Sequence, residues 1–329
     1  MGIKKWSKFR TPLLAFSLII NLGALAIFKY AEFVAVIIHD LFIKVGININ
    51  LTDNIPEFAL ILPIGISFYT FQSLSYTIDI YRGRLKPTKN ILHFFAYLSM
   101  FPQLVAGPII RAKDFLKQLN TYKIPNPQAV WHGIKLIVYG LFQKMVIADN
   151  LSLLIDSAYE GVSVFDGSTY WWVIVVAFSF QIYCDFSGYS LIARGLAKLM
   201  GYQFKMNFNH PYLSSSFKSF WNNWHISLST WFRDYVYIPL GGSKKGVLYD
   251  SFALLITFLL SGVWHGASYN FILWAGLHVT FLLLERAFKQ ITKRFGKQKL
   301  ASIISLPLVF ISSTIAWVYF RSDDVVQAN

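Results

Sequence analysis

Charge is what this sequence has least of. Only 14% of its 329 residues are Asp, Glu, Lys or Arg, against about a quarter in an ordinary soluble domain. A soluble fold of this size could not clothe its surface, and that class is excluded. Acidic residues are scarcest: 16 Asp+Glu face 30 Lys+Arg, a formal net charge of +14. In a soluble chain that excess would suggest nucleic acid. Here no recognition motif accompanies it, and the basic residues fall in gaps between apolar runs, as the positive-inside bias predicts. Membrane lipids with anionic head groups are the implied counter-charge, and no nucleic acid is expected. The single cysteine, Cys184, excludes an intramolecular disulfide. It follows Tyr183 in an apolar run and reads as an inert buried thiol. There is no H-E-x-x-H, no His/Cys/Glu grouping at metal-ligand spacing, no P-loop and no dinucleotide fingerprint. Neither a metal nor a bound cofactor is expected. With no internal repeat and no low-complexity linker, residues 1–329 read as one domain.

What is present is grease and aromatic rings: 55% hydrophobic residues and 18% Phe, Trp and Tyr, with a mean hydropathy of +0.47. A hydrocarbon core about 30 Å thick needs roughly 20 apolar residues per helix, which allows about eight spans. The expected fold is an all-α, polytopic transmembrane helical bundle. The basic start, Met1 to Arg10, lacks a small-residue cleavage site and leads into a signal-anchor-like span over residues 12–28, extending toward 38. A weakly acidic stretch with Asp40, Asp53 and Glu57 precedes an apolar segment over 58–80 that Pro63 and Gly65 interrupt. Residues 91–110 lie between two basic clusters, Arg82 to Lys89 and Arg111 to Lys117. A continuous span would leave one cluster outside. A broken, re-entrant segment keeps both on the cytoplasmic side, and makes Phe101 to Pro108, with Gln103, a candidate cavity lining. A kinked ordinary span fits the composition equally well.

Residues 132–154 read as a helix with one polar face carrying Lys135, Lys144 and Asp149. After an acidic gap with Asp156, Glu160 and Asp166, Trp171 and Trp172 mark the interfacial start of a span to Tyr183, helical on through Met200. Residues 252–264 and 270–284 form two apolar arms meeting near His265. The run Lys289, Lys293, Arg294, Lys297, Lys299 reads as cytoplasmic, and a last span covers 303–320.

Three polar-aromatic clusters interrupt this background: Asp185 to Ser190, Phe220 to Tyr235, and Ser261 to Ala267. Ionisable groups at membrane depth cost roughly 2.5–3.5 kcal/mol each for Asp, Lys or Arg, so they face the bundle interior. His265 lies between two apolar arms, and its neighbours Gly262 and Gly266 would let backbone or substrate approach. A neutral imidazole there can take a proton near neutral pH. A hydrogen-bonded structural histidine at a helix hairpin fits the same spacing. His225, among Trp221, Trp224 and Trp231, reads as a polar-face residue of an amphipathic interfacial helix. Arg233 and Asp234 read as a buried ion pair steadying the next turn. His39, His93, His132, His210 and His278 lack a comparable setting and are read as structural.

At these clusters the sequence resembles the membrane-bound O-acyltransferase (MBOAT) family, in the bacterial branch of alginate O-acetylation and teichoic-acid D-alanyl transfer proteins. The matching stretches are Pro63 to Gln72, Phe101 to Arg111, Lys144 to Asn150, Asp185 to Ser190, Trp224 to Gly242 and Ser261 to Ala267, in family order. The resemblance implies a ring of tilted helices around a central tunnel, in the bacterial cytoplasmic (inner) membrane. An acyl donor such as acetyl-CoA or a carrier-protein thioester would enter from the cytoplasm. An envelope glycan would be the acceptor, with a periplasmic or extracellular esterase-like or acyltransferase partner completing transfer. It maps the family's two motif histidines onto His225 and His265, with His265 the base. Trp224, Trp264, Asp185, Ser187, Tyr189, Arg233, Asp234, Gln103 and Asn223 become candidates for lining the substrate path. Two departures stand out: Asn222 and Asn223 replace a pair of arginines, and Leu191 stands where an acidic residue is expected. The chain also reads as lacking outer helices at both ends of the family pattern. Acetyl transfer to an exopolysaccharide or other envelope glycan is the leading expectation. D-alanyl transfer to teichoic acid is the alternative within the family. A transporter with discontinuous helices is the alternative outside it, though paired repeats would then be expected.

Overall fold

A computed structural model describes the chain except residues 1–8, 48–52, 54, 57, 59–60, 62, 105–106, 125, 162–164, 166, 295–297, 323–324 and 329, and the side chains of 293–294, 298–304 and 326. Glu57, Val105, Ala106, Asp166 and Lys297, and the side chains of Lys293, Arg294 and Lys299, lie outside the described residues. The described residues are helical, without a strand. Five helices among them are long and apolar enough to cross a membrane, and Ser305–Arg321 forms a shorter apolar one. The composition allows about eight spans, and the run over 91–110 is interrupted by its own backbone.

The fold divides into two compact units. The first holds α1 (Arg10–Lys44), α2 (Ile66–Tyr81), α3 (Ile91–Leu98), α4 (Phe101–Leu104) and α5 (Ala112–Leu119). α1 is continuous through Lys29 and, at 35 residues, is longer than a bilayer core requires at about 1.5 Å per residue. Its apolar side chains point outward: Phe16, Ile19 and Ile20 are more than half exposed. So large an apolar surface is tenable in lipid and not in water. α2 begins only at Ile66 because Gly65 adopts φ +77, and a Cβ there would stand 2.4 Å from the Leu104 carbonyl oxygen. The glycine thus admits the end of α4.

Residues 91–110 do not form one kinked span. α3 stops at Ser99, α4 is a single turn, and Gly107 to Arg111 run irregularly. The break is held by buried polar groups. The Tyr97 hydroxyl donates to the carbonyls of Ile110 at 3.0 Å and Gln72 at 3.3 Å, and Gln103 Nε2 donates to the Tyr97 carbonyl at 3.3 Å. Tyr97 and Gln103 are at most 1% exposed, so these bonds answer backbone groups that water does not reach.

The second unit holds α6 (Pro127–Tyr159), α7 (Ser168–Leu199), α8 (Phe217–Asn223), α9 (Ile226–Phe232), α10 (Val247–His265), α11 (Tyr269–Arg294) and α12 (Gln298–Arg321). Asn126 caps α6 by accepting from the Ala129 amide, and Pro127 occupies the first turn. α6 and α7 meet along glycines: a Cβ on Gly140 would be 2.6 Å from the Gly188 oxygen, and one on Gly195 would be 2.6 Å from the Gly133 oxygen. Small residues that let backbones touch are how helices associate where lipid supplies no hydrophobic drive. Just past this seam α6 widens into a π-helical stretch, Phe142–Ala148, from which Lys144 reaches Asp149 at 2.7 Å and Asp185 at 2.5 Å. α12 is fastened to α7 by Ser179 and Thr314 hydroxyls 3.0 Å apart, and Tyr212 links Trp317 to the Ser179 carbonyl.

Glycines also close the α10–α11 hairpin. A Cβ on Gly262 would lie 2.4 Å from the Phe271 oxygen, and one on Gly266 would lie 2.1 Å from the Phe271 ring. Of the two approaches the sequence allowed at these glycines, by backbone or by substrate, Gly262 shows the first, against the Phe271 backbone.

Candidate active site

The site grows from a break between two short helices in the second unit. α8 is capped by Ser216, whose hydroxyl accepts from the Ser219 amide, and it ends at Trp224. His225 then takes a left-handed conformation, φ +41, before α9 begins at Ile226. Such a backbone costs a non-glycine residue about 1–2 kcal/mol. The segment 207–209 offsets it: the Ile226 amide donates to the Asn207 carbonyl at 2.8 Å, and the Asn209 amide donates to the Asn223 carbonyl at 2.9 Å.

No amphipathic surface helix runs through His225. The residue is 1% exposed, and Trp224 and Trp231 are buried with it. Three aromatic rings of the helices cannot be inferred as lipid-facing once the chain breaks between them and turns them inward. Phe186 meets the imidazole edge-on at 4.5 Å, Phe208 stacks at 6.2 Å, and Trp264 lies at 6.5 Å. Nδ1 is 3.2 Å from Asn207 Oδ1, while Nε2 is buried without a hydrogen-bond partner. An orphaned buried polar atom costs about 1–3 kcal/mol. Burial first, and then the neighbouring His265, hold His225 well below the ordinary histidine value, so it is neutral.

His265 is the last residue of α10 and is only half-buried. Its ring touches Trp264 at 4.7 Å, Trp274 at 5.1 Å and Phe320 at 5.1 Å. Trp264 therefore stands within reach of both histidines. Trp224 is packed between Phe220 at 5.6 Å and Trp317 at 4.8 Å and forms the floor of the same aromatic cluster.

The other expected site residues divide. Ser187 is buried on α7 and bonds the Tyr183 hydroxyl, one residue from the Phe186 that touches His225. Tyr189 is half-buried on the same helix. Asp185 pairs with Lys144. Asn223 uses its amide on Ser214 at 3.2 Å and Ser219 at 3.4 Å, holding the turn. Arg233 and Asp234 are paired at 2.9 Å, but the Arg233 side chain is 55% exposed, so the expected buried pair is a surface pair. Neighbours in sequence on a π-helical turn, Arg233–Tyr237, bond each other without the burial that would give the pair weight. Gln103 belongs to the first unit and is engaged there with Tyr97.

Two residues escaped the sequence reading. Asn207 is 1% exposed and organises the His225 turn; nothing in its polar, irregular neighbourhood marks it. His278, read as an ordinary structural histidine, is fully buried with both ring nitrogens unpartnered. It packs on Trp221 at 4.8 Å and on Trp274 at 5.0 Å, the same tryptophan that touches His265. The spacing of Trp274 and His278, one helical turn on α11, was its available signal. Among the described residues no cluster of three His, Cys, Asp or Glu could hold a metal ion.

An all-helical fold with five membrane-length helices among the described residues defines a polytopic membrane protein. The model of the membrane-bound O-acyltransferase family matches residues 82–322, and the chain belongs to that family. It is 38% identical over 308 residues to a probable alginate O-acetylase of Pseudomonas putida, covering 93% of this chain and 61% of that protein. It is 32% identical over 343 residues to a peptidoglycan O-acetyltransferase of Helicobacter pylori, covering 96% of this chain and 63% of that one. A teichoic acid D-alanyltransferase of Streptococcus thermophilus is 28% identical over 293 residues, 84% of this chain and 69% of the relative. The chain thus spans about three fifths of the length of the O-acetylating relatives it matches.

Proposed function

We propose that this chain carries the catalytic centre of an envelope-glycan O-acetyltransferase in the bacterial cytoplasmic membrane. It would move an acetyl group from a cytoplasmic thioester, such as acetyl-CoA, to a hydroxyl of a polysaccharide outside. The observation that carries the proposal is the meeting of His225 and His265 at Trp264. His265 is the more exposed of the two; His225 is buried and neutral.

In this reading the glycan hydroxyl oxygen attacks the thioester carbonyl while His265 takes the hydroxyl proton. A C–O bond forms, the C–S bond breaks, and the proton passes from His265 to the departing thiolate. Such base assistance contributes about 10²–10⁴-fold in rate. His225 orients a substrate from the buried side. A tunnel between the two membrane faces belongs to the same proposal; where an esterase-like partner outside passes the acetyl group on to the polymer, the hydroxyl that attacks the thioester is that of a relay acceptor in place of the glycan's own. The test is acetyl transfer by the full-length protein in proteoliposomes, together with mass spectrometry of envelope glycans from cells with and without the gene. Glycans unchanged by loss of the gene would remove the assignment.

D-alanyl transfer from a carrier-protein thioester is the second reading, supported by the Streptococcus thermophilus relative. The O-acetylating relatives are more similar and favour acetate. Supplying acetyl-CoA and a D-alanyl carrier protein in parallel separates the two. The transporter alternative has no relative among these to favour it.

A further inference from the structure

The Asn207 side chain settles which nitrogen of His225 carries the proton. Its Oδ1 faces three groups: the Ser227 amide at 3.1 Å, the Ser227 hydroxyl at 2.8 Å and His225 Nδ1 at 3.2 Å. Its Nδ2 donates to the Ser190 hydroxyl oxygen at 3.0 Å. A backbone N–H can only donate. The Asn207 atom opposite the Ser227 amide must therefore be the oxygen, and the amide cannot be turned over without setting donor against donor. That oxygen only accepts, so His225 Nδ1 is the protonated nitrogen. The Ser227 hydroxyl, 3.5 Å from Nδ1, gives its hydrogen to Asn207 and leaves only lone pairs toward the ring.

In a neutral imidazole the other nitrogen then holds a bare lone pair. Here that is Nε2, buried and without a partner. Phe186 and Phe208, the rings edge-on to and stacked on the imidazole, offer no polar hydrogen, and the Trp264 indole stands farther off, its centroid 6.5 Å from the imidazole. A bare lone pair in such a place accepts a hydrogen from an O–H and repels a carbonyl oxygen. Of the two substrates, the saccharide has such hydrogens on hydroxyls beside the one that attacks; the acetyl thioester group has lone pairs alone.

We propose that Asn207 is a positioning residue that locks His225 as its Nδ1–H tautomer, and that His225 Nε2 thereby receives a hydroxyl of the acyl acceptor other than the one His265 deprotonates. The tautomer stands on this geometry; the hydroxyl half rests on the acyl-transfer reading. Nitrogen-15 NMR of the full chain labelled at histidine, in nanodiscs, reads both, with His225→Gln identifying the signal by subtraction. The expected spectrum has a pyrrole-type Nδ1 and a pyridine-type Nε2, and the reverse pattern overturns the proposal. Addition of an alginate oligomer or a peptidoglycan glycan fragment should move the Nε2 resonance, and acetyl-CoA alone should not. Movement with acetyl-CoA alone, or with neither saccharide, overturns the hydroxyl half. In transfer assays Asn207→Leu should raise the KM for the saccharide about 10–100-fold, the range for losing a partner that orients a histidine. The KM for acetyl-CoA should hold, and Asn207→Asp, which keeps an accepting oxygen, should restore most of the loss. Equal effects on both KM values, or no rescue by Asp, count against it. A protein with the expected tautomer and no acyl transfer would instead bring down the acyl-transfer reading and leave Asn207's role intact.

Discussion

The α6–α7 seam and the aromatic centre around His225 are both buried in the second unit, yet they are packed on opposite plans. At the seam, helix backbones touch through Gly140 and Gly188, where an added Cβ would lie 2.6–2.7 Å from the facing carbonyl oxygen. Around the histidines, large rings keep the chain segments apart, with centroids 4.5–6.5 Å from one another. The polar accounts differ too. The aromatic centre leaves His225 Nε2, both nitrogens of His278, and the indole nitrogens of Trp221 and Trp274 without partners, against Gln143 Oε1 beside the seam. Each orphan is a cost of about 1–3 kcal/mol that a purely structural core would avoid. The seam holds the unit together; the aromatic centre spends stability on unused hydrogen-bonding capacity.

The sharpest way to test that contrast is His265→Ala. Acyl transfer should fall by about 10²–10⁴-fold, while the thermal midpoint in detergent stays near wild type because the ring is only half-buried. Undiminished turnover would remove His265 from the mechanism. Gly140→Val should do the opposite. The collision with the Gly188 carbonyl should destabilise the fold by about 1–3 kcal/mol or more, read as a lower melting midpoint and lower yield. A variant as stable as wild type would show that the seam can open and that the contrast is overdrawn.

A smaller effect is set by pH. His225 lies in the break between α8 and α9, and burial reinforced by His265 lowers its folded pKa. The unfolded chain, near the ordinary value of about 6.5, binds the proton more readily. Stability is therefore fully present above about pH 6.5 and is lost as pH falls below it, by up to about 1.4 kcal/mol per unit for one group. His225→Gln should flatten that dependence in thermal melts between pH 7 and 5; parallel curves would mean that other groups carry it. Smallest of all is Arg233→Ala. An exposed pair is worth about 0–1 kcal/mol, so its melting midpoint should barely move, and a large drop would restore the buried-pair reading.

Much of this architecture could be read in advance. The long apolar runs give α1, α6, α7, α10 and α11 because a chain in lipid must satisfy its backbone internally. Pro102, Gly107 and Pro108 left a broken segment and a kinked span equally open after α3, and the motif histidines were legible as a pair through the family resemblance. His225's surroundings were not. Trp221, Trp224 and Trp231 have the same spacing on a surface helix as in a broken buried segment, and only the left-handed turn at His225 separates the two. Asn207 was beyond reach because its partners, Ser190, His225 and Ser227, come from separate stretches of chain.

The sequence alone determined that the chain belongs in a membrane and that it is helical. Those follow from composition and local pattern, since hydrophobic burial and backbone hydrogen bonding act on each segment by itself. Tertiary structure decided which histidine is buried and which is partly exposed, and it alone fixed where the proton sits on His225. A tautomer depends on what faces each nitrogen, and here that is an oxygen eighteen residues away in sequence.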